Sequence, residues 1–170
     1  MSFLHLAKRR YSVRKFHPKK VEEEKLQKIL EAARVAPTAV NYQPFKLIVC
    51  QQEEGLNKVK KAARIYDAPL AIIVCGDRDR VWRRNLDGKT TLDIDASIVT
   101  DHMMLQAADL DLGSVWICYF KPDVIKAEFQ LPDNLEPINI LAIGYASGVP
   151  QSPDRHDTQR RPLSDLVTYE

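Results

Sequence analysis

Between Val21 and Val35 the apolar residues fall at Val21, Leu26, Ile29, Leu30 and Ala33, while Glu22, Glu23 and Glu24 stand where a helix dipole favours anions. That spacing predicts a helix over 21–35, closed before Pro37. The same periodicity, more weakly, predicts a short helix over 2–10 that ends in a basic cluster, and further helices over 53–65 and 122–129. From Leu92 to Leu110 apolar residues occupy most of the helix circumference, so this helix must be buried in a core or against a second subunit. Apolar runs at 45–50, 70–75, 115–120 and 138–145 predict strands. The first two, rich in Val and Ile, suit strands covered on both faces.

Three segments break the pattern. Residues 37–44 show neither periodicity and carry Thr38, Asn41 and Gln43, a polar loop beside a strand. Residues 76–91 turn abruptly charged around an isolated Trp82, a surface excursion or lid. The tail from Ser147 to Glu170, with Pro150, Pro153 and Pro162, is expected to run extended over the surface or over a neighbour. Alternating helices and strands imply an α/β or α+β architecture with helices on a central sheet. The pattern does not supply strand order, which depends on long-range pairing.

A length of 170 residues, 45% of them hydrophobic, predicts one domain spanning 1–170. A net charge of +2 from 25 basic and 23 acidic residues argues against a nucleic-acid partner. No apolar run approaches the roughly 20 residues that span a bilayer, and the charges within residues 1–16 are unlike a signal peptide, so no membrane partner and a cytoplasmic location are expected. Cys50, Cys75 and Cys118 each sit in an apolar run without metal-ligand spacing and are expected to be small buried thiols. His5, His17, His102 and His156 are scattered, so no metal site is expected.

Arg9-Arg10-Tyr11-Ser12-Val13-Arg14 places guanidinium forks and a hydroxyl in one short turn. That chemistry suits phosphate oxygens, and equally suits a solvated basic turn. Arg160-Arg161 could join the same anion if the tail folds back, or be a charged tail. Six glycines without G-x-G-x-x-G or G-K-[ST] exclude Rossmann and P-loop readings. No nucleophile motif is present, as expected where a cofactor carries the reaction and the protein supplies position and electrostatics.

Arg10-Tyr11-Ser12-Val13-Arg14-Lys15-Phe16, Ala36-Pro37-Thr38-Ala39-Val40-Asn41-Tyr42-Gln43-Pro44-Phe45, Leu112-Gly113-Ser114-Val115-Trp116 and Arg160-Arg161-Pro162-Leu163 together resemble the FMN-dependent nitroreductase family. The resemblance implies an α+β fold, a central, mainly antiparallel sheet flanked by helices, and an intertwined homodimer with FMN at the subunit interface. It implies that Arg10 and Ser12 bind the phosphate with Tyr11 through its backbone, that Arg160 closes on it, and that Arg14 approaches the ribityl chain and ring. Pro37, Thr38, Ala39 and Asn41 match the loop that meets the flavin, the first three from the other subunit, and Gly113 and Ser114 match a turn close to the ring. No protein side chain is expected to be catalytic.

The implied activity is ping-pong transfer of reducing equivalents from NADH or NADPH to an electron-poor small-molecule acceptor, a nitroaromatic or quinone. Alternatives are a dehydrogenase or reductase of one metabolite, a non-catalytic FMN carrier or sensor, and a flavin-free module for a phosphorylated ligand. Two departures stand out. Ala39 follows Thr38 where the family commonly has two Ser, and the chain lacks the longer mid-chain insertion, leaving 76–91 as cover and Trp82 as a stacking or surface-anchoring aromatic.

Overall fold

The computed structural model describes residues 2–170. At its centre lies β2 (Leu70–Asp77), buried from Leu70 through Gly76. It pairs antiparallel with β1 (Phe45–Cys50) and with β4 (Leu135–Gly144), and β4 pairs antiparallel with β3 (Gly113–Ile117), so the order is β1-β2-β4-β3. Successive strand side chains point to opposite faces. Leu70, Ile72, Val74, Leu141 and Ile143 therefore meet α2 (Glu23–Val35) and α4 (Leu92–Asp109) on one face. Ala71, Ile73, Ile140, Ala142, Val115 and Ile117 meet the opposite layer, built from α3 (Glu53–Ala62) and α5 (Pro122–Glu128).

The expected two-sided cover holds for β2 but not for β1, an edge strand whose exposure varies along its length and leaves Val49 in solvent. The register slips between Val74 and Cys75, opposite Pro137–Asn139, where proline offers no N–H to the ladder. Cys50 and Cys75 are buried, and desolvation pushes their thiols up to about 11 and about 12. Cys118 corrects the expectation of three buried thiols: β3 ends at Ile117, one residue earlier, and Cys118 is exposed.

Residues beyond β2 form the expected surface excursion, pinned by the Arg84–Asp87 ion pair and an isolated bridge between Arg83 and Thr90. The tail is not simply extended. It contains α6 (Arg155–Gln159), too short to show periodicity in sequence, which returns to α1 (Phe3–Arg9). There Arg155 donates to the Arg10 carbonyl at 2.6 Å, and His156 Nε2 lies 3.1 Å from the Lys8 carbonyl oxygen. Among the described residues no helix is long and apolar enough to cross a membrane.

The chain between α1 and α2 closes onto the sheet. Ser12 bridges Ser114, the Val13 N–H donates to the Ser114 carbonyl at 2.9 Å, and the His17 N–H donates to the Tyr145 carbonyl at 2.8 Å. Gly113 makes this closure possible, because a Cβ there would sit 2.6 Å from Val13 Cγ2. The far end is tied by Glu22, which accepts from the Tyr145 hydroxyl at 2.7 Å and pairs with Lys19 at 2.7 Å.

Gly113→Ala is expected to cost about 1–3 kcal/mol in urea unfolding through overpacking against Val13, with less than additive loss when combined with Val13→Ala. The Lys19 ammonium, then the Tyr145 hydroxyl, hold the Glu22 carboxyl down from 4.5 to about 2. A folded-state value below the unfolded one means this contact stabilises fully above about pH 4.5 and is lost as pH falls toward 2. In Glu22→Gln the fall of Tm across that window should be shallower than in the parent, and superimposable curves would show that the contact contributes nothing.

Candidate functional site

Arg10 is in extended conformation at the end of α1, and from there the chain alternates: Tyr11 and Val13 pack on the core, while Arg10, Ser12 and Arg14 face outward. Two residues of strand advance about 6.6 Å, so Arg10, Ser12 and Arg14 form a polar row about 13 Å long from end to end. Ser114 holds the row in place through its carbonyl, while its buried hydroxyl has no hydrogen-bond partner among the described residues. Gly113 is buried beneath Val13, so its missing Cβ makes room for this chain's own residue. Tyr11, Gly113 and Ser114 line, with Arg10, a cavity of about 360 Å³ roofed by Pro150 and Pro153.

At the Arg10 end cations gather, with Asp111 paired to Arg9 and Asp101 acting on Arg10. Burial, then the Arg155 and Arg160 charges, pull the Arg10 guanidinium below its ordinary value, opposed by Asp101. It remains charged at neutral pH. Among the described residues no carboxylate forms an ion pair with Arg10, Arg155 or Arg160. Arg155, bonded to the Ser152 and Arg10 carbonyls, lies against Arg10, and guanidiniums so grouped suit an anion.

At the other end, Arg14 lines a hollow of about 580 Å³, which adjoins a second of about 520 Å³ through the shared residues Lys60, Ala63, Arg64 and Tyr66. The Arg64 guanidinium lies 5.0 Å from the centre of the Tyr66 ring, and Ile117, Tyr119 and Phe120 form the far wall. Tyr66 and Asp67 both hold positive φ, at 57° and 56°, a strained turn that brings the chain from the end of α3 back to β2. A cleft of aromatic walls with a few cations suits a planar or anionic group.

Pro37, Thr38, Ala39 and Asn41 lie elsewhere, in the loop between α2 and β1. Val40, Asn41 and Gln43 all have left-handed φ, near 50° to 56°, which for a β-branched valine is unusual. The Thr38 hydroxyl oxygen accepts the Gln43 N–H at 3.0 Å and keeps its own proton free to donate. The Ala39 N–H donates to Asp95 Oδ1 at 2.9 Å, and Asp95 is 1% exposed in the first turn of α4.

The structure thus collects Arg10, Tyr11, Ser12, Arg14, Gly113, Ser114 and Arg160 into one region and Pro37, Thr38, Ala39 and Asn41 into another. Arg9 bonds the carbonyl of Ala108 near the end of α4, thirteen residues beyond Asp95, or about 20 Å at the rise of a helix. Sequence reasoning missed Arg155, Lys60, Arg64 and Asp95. Arg155 and Arg64 resemble ordinary surface charges in the sequence, and Asp95 resembles any acid in a first helical turn.

Comparison with known proteins identifies the family. The model of the nitroreductase family matches residues 7–65 and 57–145. A Methanothermobacter thermautotrophicus protein with the provisional name NADH dehydrogenase/NAD(P)H nitroreductase is 33% identical over 168 residues, covering 94% of this chain and 85% of its own. A solved nitroreductase family protein from Clostridium difficile 630 is 64% identical, with a TM-score of 0.98 over 100% of this chain and 99% of that one. An FMN-dependent nitroreductase from another strain of that organism is 28% identical, with a TM-score of 0.76 over 94% and 98% of the two chains. The antiparallel sheet, the row from Arg10 to Arg14 and these matches together place the chain in the nitroreductase family.

Proposed function

We propose that this protein is an FMN-dependent oxidoreductase that takes reducing equivalents from NADH or NADPH and passes them to electron-poor acceptors such as nitroaromatics and quinones, working as a homodimer. The observation that carries the reading is the half-buried Arg10 guanidinium, set beside Arg155 and Arg160 without an ion-pair partner. Such a cluster fits a phosphate dianion, and the outward row leading from it to an aromatic cleft fits a phosphate joined by a flexible chain to a planar ring. The FMN-dependent relative from Clostridium difficile is named for that cofactor.

In this reading Arg10 and Ser12 hold the phosphate, with Tyr11 contributing through its backbone and Arg160 closing over it. Arg14 approaches the ribityl chain and ring, while Gly113 and Ser114 seat the row against the sheet. Bound FMN supplies two-electron transfer between a nicotinamide donor and an oxidised acceptor. Arg14, Lys60 and Arg64 stabilise negative charge at that end of the site, and Tyr66, Tyr119 and Phe120 offer flat apolar surface to an aromatic acceptor. No side chain need act as acid or base.

The layout of α4 supports the dimer reading. The Pro37–Asn41 loop is tied to the start of α4 through Asp95, and Arg9, beside Arg10, is tied to Ala108 near its other end. A two-fold partner with α4 running antiparallel would bring the loop of one copy to the row of the other. An apolar groove of about 870 Å³ along α1, α2 and α4, with exposed Phe3 and Val35, supports burial of this face.

The purified protein is expected to show flavin absorption that bleaches under anaerobic NADH or NADPH and returns with a nitroaromatic or quinone. Protein that takes up no added FMN would refute the reading, and bound flavin that never bleaches would favour a carrier or sensor. Arg10→Ala is expected to weaken FMN binding about tenfold to a hundredfold in fluorescence titration. Sedimentation is expected to give twice the 19.4 kDa of one chain, and a lasting 19.4 kDa particle would overturn the dimer.

A further inference from the structure

The Thr38–Gln43 loop holds an arrangement that its own residues do not favour. Val40 and Asn41 sit in the left-handed region at φ of 50° and 56°, and Gln43 again at 50°. Such backbone persists only where the surroundings over-determine it. Within the loop, the Asn41 N–H donates to the Thr38 carbonyl, the Gln43 N–H to the Thr38 hydroxyl, and the Gln43 amide to the Asn41 carbonyl and side chain. These bonds fold the loop on itself, while its C-terminal end is held at the sheet, where the Phe45 N–H donates to the Gln43 carbonyl and the Asp77 N–H to the Pro44 carbonyl. Among the described residues the one hydrogen bond from Thr38–Gln43 to a helix is that of the Ala39 N–H to Asp95.

Asp95 is suited to that task. Its carboxylate is buried at 1% exposure, and its second oxygen accepts the Thr91 hydroxyl at 2.8 Å. Both oxygens are therefore fixed, one by the residue that starts α4 and one by the loop. The first turn of a helix favours the negative charge. Nothing else in the reading of the cofactor site calls for a buried carboxylate here, and an isolated one is costly to bury unless its hydrogen bonds are made.

We propose that Asp95 is a positioning residue for the cofactor site, anchoring the Thr38–Asn41 loop of one subunit to α4 so that it meets the FMN held by the other. The inference rests on the FMN and dimer reading given above. Asp95 acts through the loop and touches no cofactor itself.

The test compares Asp95→Leu, which keeps the branched shape with bulkier methyl groups and removes both acceptors, with Asp95→Asn, which can still accept the Ala39 N–H while its amide donates to the Thr91 oxygen. FMN dissociation constants and the visible circular dichroism of bound flavin are measured on the full-length dimer, alongside hydrogen exchange of the loop amides. Asp95→Leu is expected to weaken FMN binding about tenfold or more, change the flavin dichroism and speed exchange at Ala39, while Asp95→Asn stays within about threefold of the parent. Should Asp95→Leu fail to fold, Thr91→Val removes only the outer bond and is expected to give a smaller shift in the same direction. Unchanged FMN binding and dichroism in the folded Asp95→Leu variant, or in Thr91→Val where Asp95→Leu does not fold, would overturn the inference, as would an Asp95→Asn variant as impaired as Asp95→Leu. A parent protein that takes up no FMN would instead overturn the reading beneath, and the inference with it.

Discussion

A helix that is apolar on nearly every side has to be covered on nearly every side, and α4 sets that demand for this molecule. The sheet takes one flank through Leu141, Ile143 and the even-numbered residues of β2 from Leu70 to Val74, while α2 takes another through Ile29 and Ala33. α1 lies along a third. What one chain does not cover is the flank bearing His102 and Leu105, where Phe3 and Val35 also remain in water. The same helix is the ruler on which the functional residues are spaced, with Asp95 near its start and the carbonyl that receives Arg9 near its end.

Much of the fold was legible because its signals are local. The spacing of Leu26, Ile29 and Ala33 marks the buried side of α2, and Pro37 marks its limit. The apolar run at β2 announces a strand covered from both sides, yet the same run would suit a parallel sheet, so strand direction had to come from the family resemblance. Ends were less legible. β4 begins at Leu135 because a slip in register absorbs Pro137, and β3 stops before Cys118, so one thiol faces solvent where burial was expected. Neither event leaves a periodic trace.

The site divides along a similar line. Arg10, Ser12 and Arg14 were legible as a basic cluster expected in one short turn, whereas the chain leaves α1 in extended conformation at Arg10 and exposes Ser12 and Arg14. Arg155 joins them only through the return of the tail to α1, a contact between residues 145 positions apart. Lys60 and Arg64 reach the cleft because the chain turns sharply at Tyr66 and Asp67, through a conformation that sequence pattern does not encode. At Gly113 the space left by the missing Cβ, expected to face a flavin ring, is taken by a methyl group of Val13.

The separation of the two groups along α4 has a genetic consequence. In a dimer whose cofactor sites each combine the arginine row of one copy with the loop of the other, a subunit damaged in the row still donates a sound loop, and a subunit damaged in the loop still donates a sound row. A mixed dimer of the two would concentrate both lesions in one site and leave the other whole. Two inactive alleles of this kind would complement each other when expressed together, whereas two alleles damaged in the same group would not.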